Sequence, residues 1–173
     1  MILMFKDVNS FYNAANKIIV GEFTEFICNY NLVNSVVADH ICYKASSAES
    51  FEKMRRIFEH ENKWLYQAII SKRRIATIRT YQSLETSVGR VNLVELSDQK
   101  PDGSQVDGFD HLEVRPIVDS YDELVSYLSN RGLEVKEIVR PHHTTHDITL
   151  EDGFIVRLTR ESLAEKIKSE MNL

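Results

Sequence analysis

The dipeptide Asp-His occurs at Asp39-His40 and again at Asp110-His111, each time in a short run of alternating apolar residues, "ADHICYKA" and "FDHLEVRP". The chain downstream of each run also repeats. Ser47, with Glu49 and Glu52, opens a segment whose apolar members Phe51, Met54, Ile57 and Phe58 fall at helical spacing and which ends near Asn62. Ser120 opens a second helical segment that reaches Asn130 and stops at Gly132. Three strand-like runs come next in each half: "KWLYQAII", "RIATIRTYQ" and "RVNLVEL" in the first, "LEVKEIV", "HTTHDITL" and "GFIVRLT" in the second. "SKRR" and "SLETSVG" read as the hairpin connections of the first half. A chain that spells strand, helix, strand, strand, strand twice is an internal duplication, and the pattern predicts an α+β fold of two tandem βαβββ modules.

The modules span 36–97 and 109–159, joined by a linker at 98–108 where Pro101, Gly103 and Gly108 stand among polar residues. Ahead of them, over 1–35, Phe11, Ala14, Ala15, Ile18, Ile19, Phe23, Phe26 and Ile27 recur at three- and four-residue steps. That periodicity predicts an N-terminal helical extension from Phe5 to Leu32, divided at Gly21. A last helix, Arg160 to Met171, lies in the closing segment 160–173. At 173 residues the chain is long enough for two small modules to share one core.

Charge narrows the partners. A formal net charge of −5 lacks the positive field that nucleic acid or an anionic membrane surface would require. The one basic run, Lys72-Arg73-Arg74, is short and reads as a solvated turn. Cys28 and Cys42 read as free thiols in a reducing compartment. The opening "MILMF" is too short for a signal peptide or a membrane span, so the expectation is a cytoplasmic protein, monomer or dimer, with a small-molecule ligand.

Strand alternation sorts the side chains that could carry chemistry. His40 shares a face with Ala38 and Cys42; His111 shares one with Glu113 and Arg115. Glu95 shares the face of Val91 and Leu93. Arg157 opposes Phe154, Val156 and Leu158, so its charge points away from the apolar face and needs an anion. His146 shares a face with Thr144 and Ile148, which leaves it able to reach a cleft. His142 and His143 fall at a strand entry facing water, and His60 ends a helix at the surface.

The runs "ADHICYKA", "VNLVELS", "FDHLEVRP" and "LEDGFIVRL", set in paired βαβββ modules, resemble the vicinal oxygen chelate superfamily of glyoxalases and extradiol dioxygenases. The wording is most similar to its YecM-like branch. The similarity covers Val36 to Thr159. It implies two modules closing around a shared cleft, with metal ligands from the first and last strands of each. Carried over, these are His40 and His111 from the first strands and Glu95 from the last strand of module one. The fourth position falls on Arg157, which is cationic at any working pH and cannot ligate a metal.

Two imidazoles and a carboxylate suit Fe(II) and also accept Zn(II), Mn(II) or Ni(II). On that reading Arg157 grips a substrate carboxylate, and Glu113 is a base or further ligand. With His146, these are the candidate catalytic residues of a metal-dependent lyase, isomerase or dioxygenase acting on a small oxygenated metabolite. Two other readings stay open: a metal-free, non-catalytic module that binds a small anion with Arg157 as clamp or pairs Arg157 with Glu95 or Glu113, and a scaffold whose N-terminal helices dock a partner.

Overall fold

The computed structural model describes residues 5–140 and 143–170. The expected position of His142 and the expected helix end at Met171 lie outside the described residues.

Eight strands form one sheet: β1 (Val36–Lys44), β2 (Asn62–Ile70), β3 (Arg73–Thr86), β4 (Gly89–Ser97), β5 (Gly108–Pro116), β6 (Lys136–Val139), β7 (Thr144–Thr149) and β8 (Ile155–Leu158). Their order is β2-β3-β4-β1-β5-β8-β7-β6. Each half is therefore built alike. The first strand pairs in parallel with the last of its own module, β1 with β4 and β5 with β8, and the two first strands pair antiparallel with each other. This is the two-module α+β fold that the duplicated sequence predicts, and the pseudo-dyad passes between β1 and β5.

One face of the sheet carries the helices. Helix α3 (Ala48–Glu59) starts at Ser47, whose side chain accepts from the Ser50 amide, and α4 (Tyr121–Asn130) starts at a reciprocal capping box of Ser120 and Glu123. Gly132, at φ 84°, takes the left-handed conformation that ends α4. The N-terminal segment supplies α1 (Val8–Ile18), a π-type turn Ile19–Phe23 kinked at Gly21, and α2 (Thr24–Asn29).

These N-terminal helices fill the junction of the modules. Phe11 is fully buried and packs edge-on to Phe58 of α3 and to Tyr43 of β1, with Phe109 of β5 4.9 Å away between centroids. Tyr12 bonds Thr80 on β3, and the Tyr127 hydroxyl of α4 donates to the Tyr30 carbonyl at 2.9 Å. The last helix, α5 (Leu163–Glu170), lies instead over the opposite face of the sheet, where Leu163 and Ile167 line a cavity together with His40. No helix among the described residues is long and apolar enough to cross a membrane.

Three local expectations are corrected. "SLET" is not a connection, because β3 continues through it to Thr86 and leaves only Ser87-Val88 before Gly89. Its pairing with β4 slips between Arg79 and Leu84, and that irregularity masks the strand in the sequence. The Lys72-Arg73-Arg74 run is not a solvated turn as a whole. Only Ser71-Lys72 form the two-residue turn, both at positive φ as such hairpins require. Arg74 binds Glu52 and Asp98 and lies over the Phe51 ring, while Arg73 donates to Gln105 Oε1 at 2.5 Å. The final strand runs are also shorter than the sequence pattern, β6 and β8 having four residues each.

If the N-terminal helices belong to the same cooperative unit as the sheet, Phe11→Ala should destabilise the whole protein by about 3–5 kcal/mol. Urea denaturation followed by near-UV and far-UV signals should show one coincident transition at lower midpoint. A first transition confined to the N-terminal segment would contradict this.

Candidate metal centre

The pairing of β1 with β5 contains two bulges, and each falls at an Asp-His pair. Ala38 opposes Val114 and His40 opposes Glu113, so Asp39 has no partner across the pair; Cys42 opposes His111 and Tyr43 opposes Phe109, so Asp110 has none. In a regular strand neighbouring side chains leave on opposite faces. The extra residue re-aims the chain, and each aspartate reaches the ring beside it: Asp39 Oδ2 to His40 Nδ1 and Asp110 Oδ2 to His111 Nδ1, both at 2.8 Å. A carboxylate only accepts, so the ring proton sits on Nδ1 and the Nε2 lone pair is left free. That is the physical reason for the repeated dipeptide.

The four central strands carry the site. The register places Glu95 of β4 beside Cys42, and Arg157 of β8 beside Glu113. The pseudo-dyad thus exchanges His40 with His111, Cys42 with Glu113, and Glu95 with Arg157. One ring nitrogen each of His40 and His111 and a Glu95 oxygen lie within 4.8 Å of one another. His40 Nε2 is 4.0 Å from Glu95 Oε2, and Glu113 Oε1 sits between the rings, 3.8 Å from His40 Nε2 and 3.7 Å from His111 Nε2. Both histidines are buried, and His40 Nε2 has no hydrogen-bond partner.

A buried ring nitrogen with its lone pair aimed among carboxylates costs free energy unless something fills the space. Two imidazoles and a carboxylate, each ring held by its own aspartate, form a donor set that fits a divalent metal ion.

Electrostatics point the same way. Burial opposes a charge on His40, but Glu113, Asp39 and Glu95 outweigh it and raise its pKa above the ordinary value. The spot favours a cation. Burial and the Arg157 guanidinium hold His111 below its ordinary value and keep it neutral. Glu113 is driven down to about 2: burial acts against ionisation, but His40, Lys166, His111 and Arg157 prevail.

Arg157 finds its anion in Asp147, a residue outside the set expected from the sequence. Nε donates to Asp147 Oδ1 at 2.7 Å and Nη2 to Oδ2 at 2.8 Å, a two-pronged pair across neighbouring strands. Neither Glu95 nor Glu113 is its partner. Its Nη1 is 3.1 Å from both nitrogens of His111. An atom equally close to both must lie over the ring face, since an in-plane approach would collide with Cε1, so the Nε2 lone pair stays open.

His146 lies on the other face of the sheet. Its Nδ1 meets the Tyr121 hydroxyl at 2.8 Å, beneath α4, and Ile148 on the same face packs in the main core. The alternation of β7 holds, but its His146 face is the opposite of the expected one, because Ile148 marks the apolar side.

His143, expected in water, lines the cleft next to both Glu95 and Glu113. Arg140 and Lys166 line it as well. Asp147 is legible in principle, as it alternates with Ile148 and falls opposite Arg157. His143, Arg140 and Lys166 carry no such signal, since they reach the cleft from a loop edge and from α5.

A second cluster, Cys42, Asp110 and His111, also falls within 4.8 Å. It is the poorer set. Asp110 is occupied by Lys44 and by the His111 ring, while burial and the charge of Glu95 push the Cys42 thiol well above its ordinary value, away from the thiolate a metal needs.

Residues 21–151 match the family described as YecM protein. The chain belongs to the YecM family. The resemblance to that branch read from the sequence is thereby borne out. Among solved structures, the structural-genomics protein EC4020 superposes on this YecM-family chain with a TM-score of 0.63 at 20% identity, covering 89% of this chain and 92% of that one, which shows a shared fold. An extradiol ring-cleaving dioxygenase from B. fuscum gives 0.47 at 11% identity, covering 75% of this chain and 33% of that one. A glyoxalase/bleomycin resistance protein/dioxygenase superfamily member from Vibrio splendidus gives 0.39 at 12%, covering 73% and 97%. No curated protein matches the chain.

If the two aspartates orient the rings for a metal, Asp39→Ala and Asp110→Ala should each weaken divalent-metal affinity by roughly 10–100-fold. Asp39→Asn, which keeps an acceptor for Nδ1, should lose less. Competition titrations against a fluorescent chelator measure this; unchanged affinity in both alanine variants would contradict the assignment.

Proposed function

We propose that this YecM-family protein is a divalent-metal protein whose His40, Glu95 and His111 hold the ion in the cleft between its modules, and that it acts there on a small oxygenated metabolite. The observation that carries the reading is the buried, unpartnered Nε2 of His40, aimed at the carboxylates of Glu95 and Glu113. When bound, a divalent ion supplies Lewis acidity toward substrate oxygens. The donor set suits Fe(II) and accepts Zn(II), Mn(II) or Ni(II).

The remaining residues have roles of their own. Glu113, held ionised between the rings with Lys166 Nζ 3.8 Å from its Oε2, offers a carboxylate that accepts a hydrogen bond from a bound substrate or serves as a further ligand. Tyr66, Ala68, Ile70 and Ile75 on one wall and Leu163 and Ile167 of α5 on the other line a cavity of about 300 Å³ on the His40 side. These walls shield the centre from water and leave room for a small ligand. Arg157, with two of its donors on Asp147, tunes and braces His111 rather than serving as a free clamp. The metal-free reading that rests on such a clamp is correspondingly weaker. The choice among lyase, isomerase and dioxygenase chemistry follows from the substrate.

Protein purified without chelators or a histidine tag should carry about one divalent ion per chain by elemental analysis. After chelation, returning the ion should raise the melting temperature in a concentration-dependent way. His40→Ala and His111→Ala should remove both effects. Metal content and melting response that survive both substitutions would overturn the proposal.

A further inference from the structure

The two sides of the cleft differ in charge. On the His40 side apolar residues share the lining with Glu95, Glu113 and Glu161 and a single cation, Lys166, whereas the cavity of about 340 Å³ beside His111 is lined by Lys44, Arg73, Lys100, Arg140 and Arg157. Two of these are neutralised locally: Lys44 pairs with Asp110, and Arg157 with Asp147. The other three have no carboxylate within ion-pair distance among the described residues. Arg73 spends one donor on Gln105 and Arg140 one on Thr145 Oγ1 at 2.6 Å, while Lys100 is exposed. A guanidinium has five N–H donors, so among the described residues most of theirs remain unused.

Facing them are Glu95 and Glu113, which are directed at the histidines. A divalent ion there would neutralise these two carboxylates and leave three cations around one small cavity, in a chain whose net charge is −5. Burial and the charge of Arg157 lower the pKa of Arg140, against the opposing charges of Asp147, Glu113 and Glu95. Three uncompensated cations converging on a pocket are the arrangement that binds an anion by charge-assisted hydrogen bonds.

We propose that the side of the cleft beside His111 is an anion subsite, built from Arg73, Lys100 and Arg140, which takes the phosphate or carboxylate end of a ligand whose oxygen donors reach His40, Glu95 and His111. The substrate is then a two-headed anion, such as a phosphorylated or dicarboxylic hydroxy acid, lying across the pseudo-dyad. The charge balance rests on the metal reading above, so the test separates the two.

Calorimetric titration of the metal-loaded protein compares glycolate, which has one anionic head, with 2-phosphoglycolate and tartronate, which add a phosphate or a second carboxylate. At least one of the two-headed anions should bind about tenfold more tightly than glycolate, the increment expected of one charge-assisted hydrogen bond; the tighter one identifies the head group. Arg140→Gln should abolish that preference without changing glycolate affinity. Lys100→Ala, at an exposed position, should reduce it, and it carries the test if Arg140→Gln lowers the melting temperature.

Chelated protein should still bind inorganic phosphate, and Arg140→Gln or Lys100→Ala should weaken that binding. This result without any metal uptake would sink the metal reading and keep the subsite. Equal affinity for all three acids together with no phosphate binding, or a preference untouched by both substitutions, overturns the subsite.

Discussion

The antiparallel pairing of β1 with β5, bulged once on each strand, is the constraint on which the rest of the molecule depends. It joins the modules, sets the pseudo-dyad, and brings two histidines together edge-on, with ring centroids 5.8 Å apart and planes at 78°. The bulges do what bulges next to functional sites commonly do, turning a side chain that regular pleating would send to the other face. Asp39 and Asp110 are thereby spent on fixing imidazole tautomers. Asp39 has a further use, since its Oδ2 also accepts from the Leu163 amide at 2.9 Å and so ties the start of α5 to the His40 ring. The cover of the cleft and the orientation of one ring share a single carboxylate.

Duplication supplies symmetry, and the chemistry depends on where the symmetry fails. The dyad relates Glu95 to Arg157 and its register partner Thr77 to Asp147. A carboxylate beside a small hydroxyl in one module has become a guanidinium paired with a carboxylate in the other. The substitution removes a negative charge from the second half, and the guanidinium helps keep His111 neutral. On the opposite face of the sheet the N-terminal segment packs on the same junction: Phe5 and Phe11 contact aromatic rings from both first strands, Tyr43 and Phe109, and so bridge the two modules.

Much of this is legible without coordinates. Two copies of one pattern of periodicity dictate the fold, because the first strand of each βαβββ unit alone is a sheet edge with unpaired backbone groups, and it pairs with the first strand of the other copy. The grouping of His40, Glu95 and His111 follows from alternation plus the resemblance. The features that escape have identifiable causes. The bulges invert the expected direction of Asp39 and Asp110, so the sequence shows the dipeptide but not its purpose. Strand β3 breaks its own pairing before Leu84 and hides its second half. His143, Arg140 and Lys166 come to the cleft from a loop edge and from a helix packed across it, positions for which neither period-two nor period-3.6 patterning carries information.

The central claim is a place for an ion, and locating that ion tests it most directly. Anomalous diffraction from crystals of the protein loaded with Zn(II) or Mn(II), recorded on both sides of the metal absorption edge, fixes its position without reference to activity. The account predicts one dominant peak in the centre of the cleft, at roughly 2.0–2.2 Å from His40 Nε2 and His111 Nε2 and within reach of a Glu95 oxygen. A peak at Cys42 and Asp110, or at exposed carboxylates away from both histidines, would contradict it.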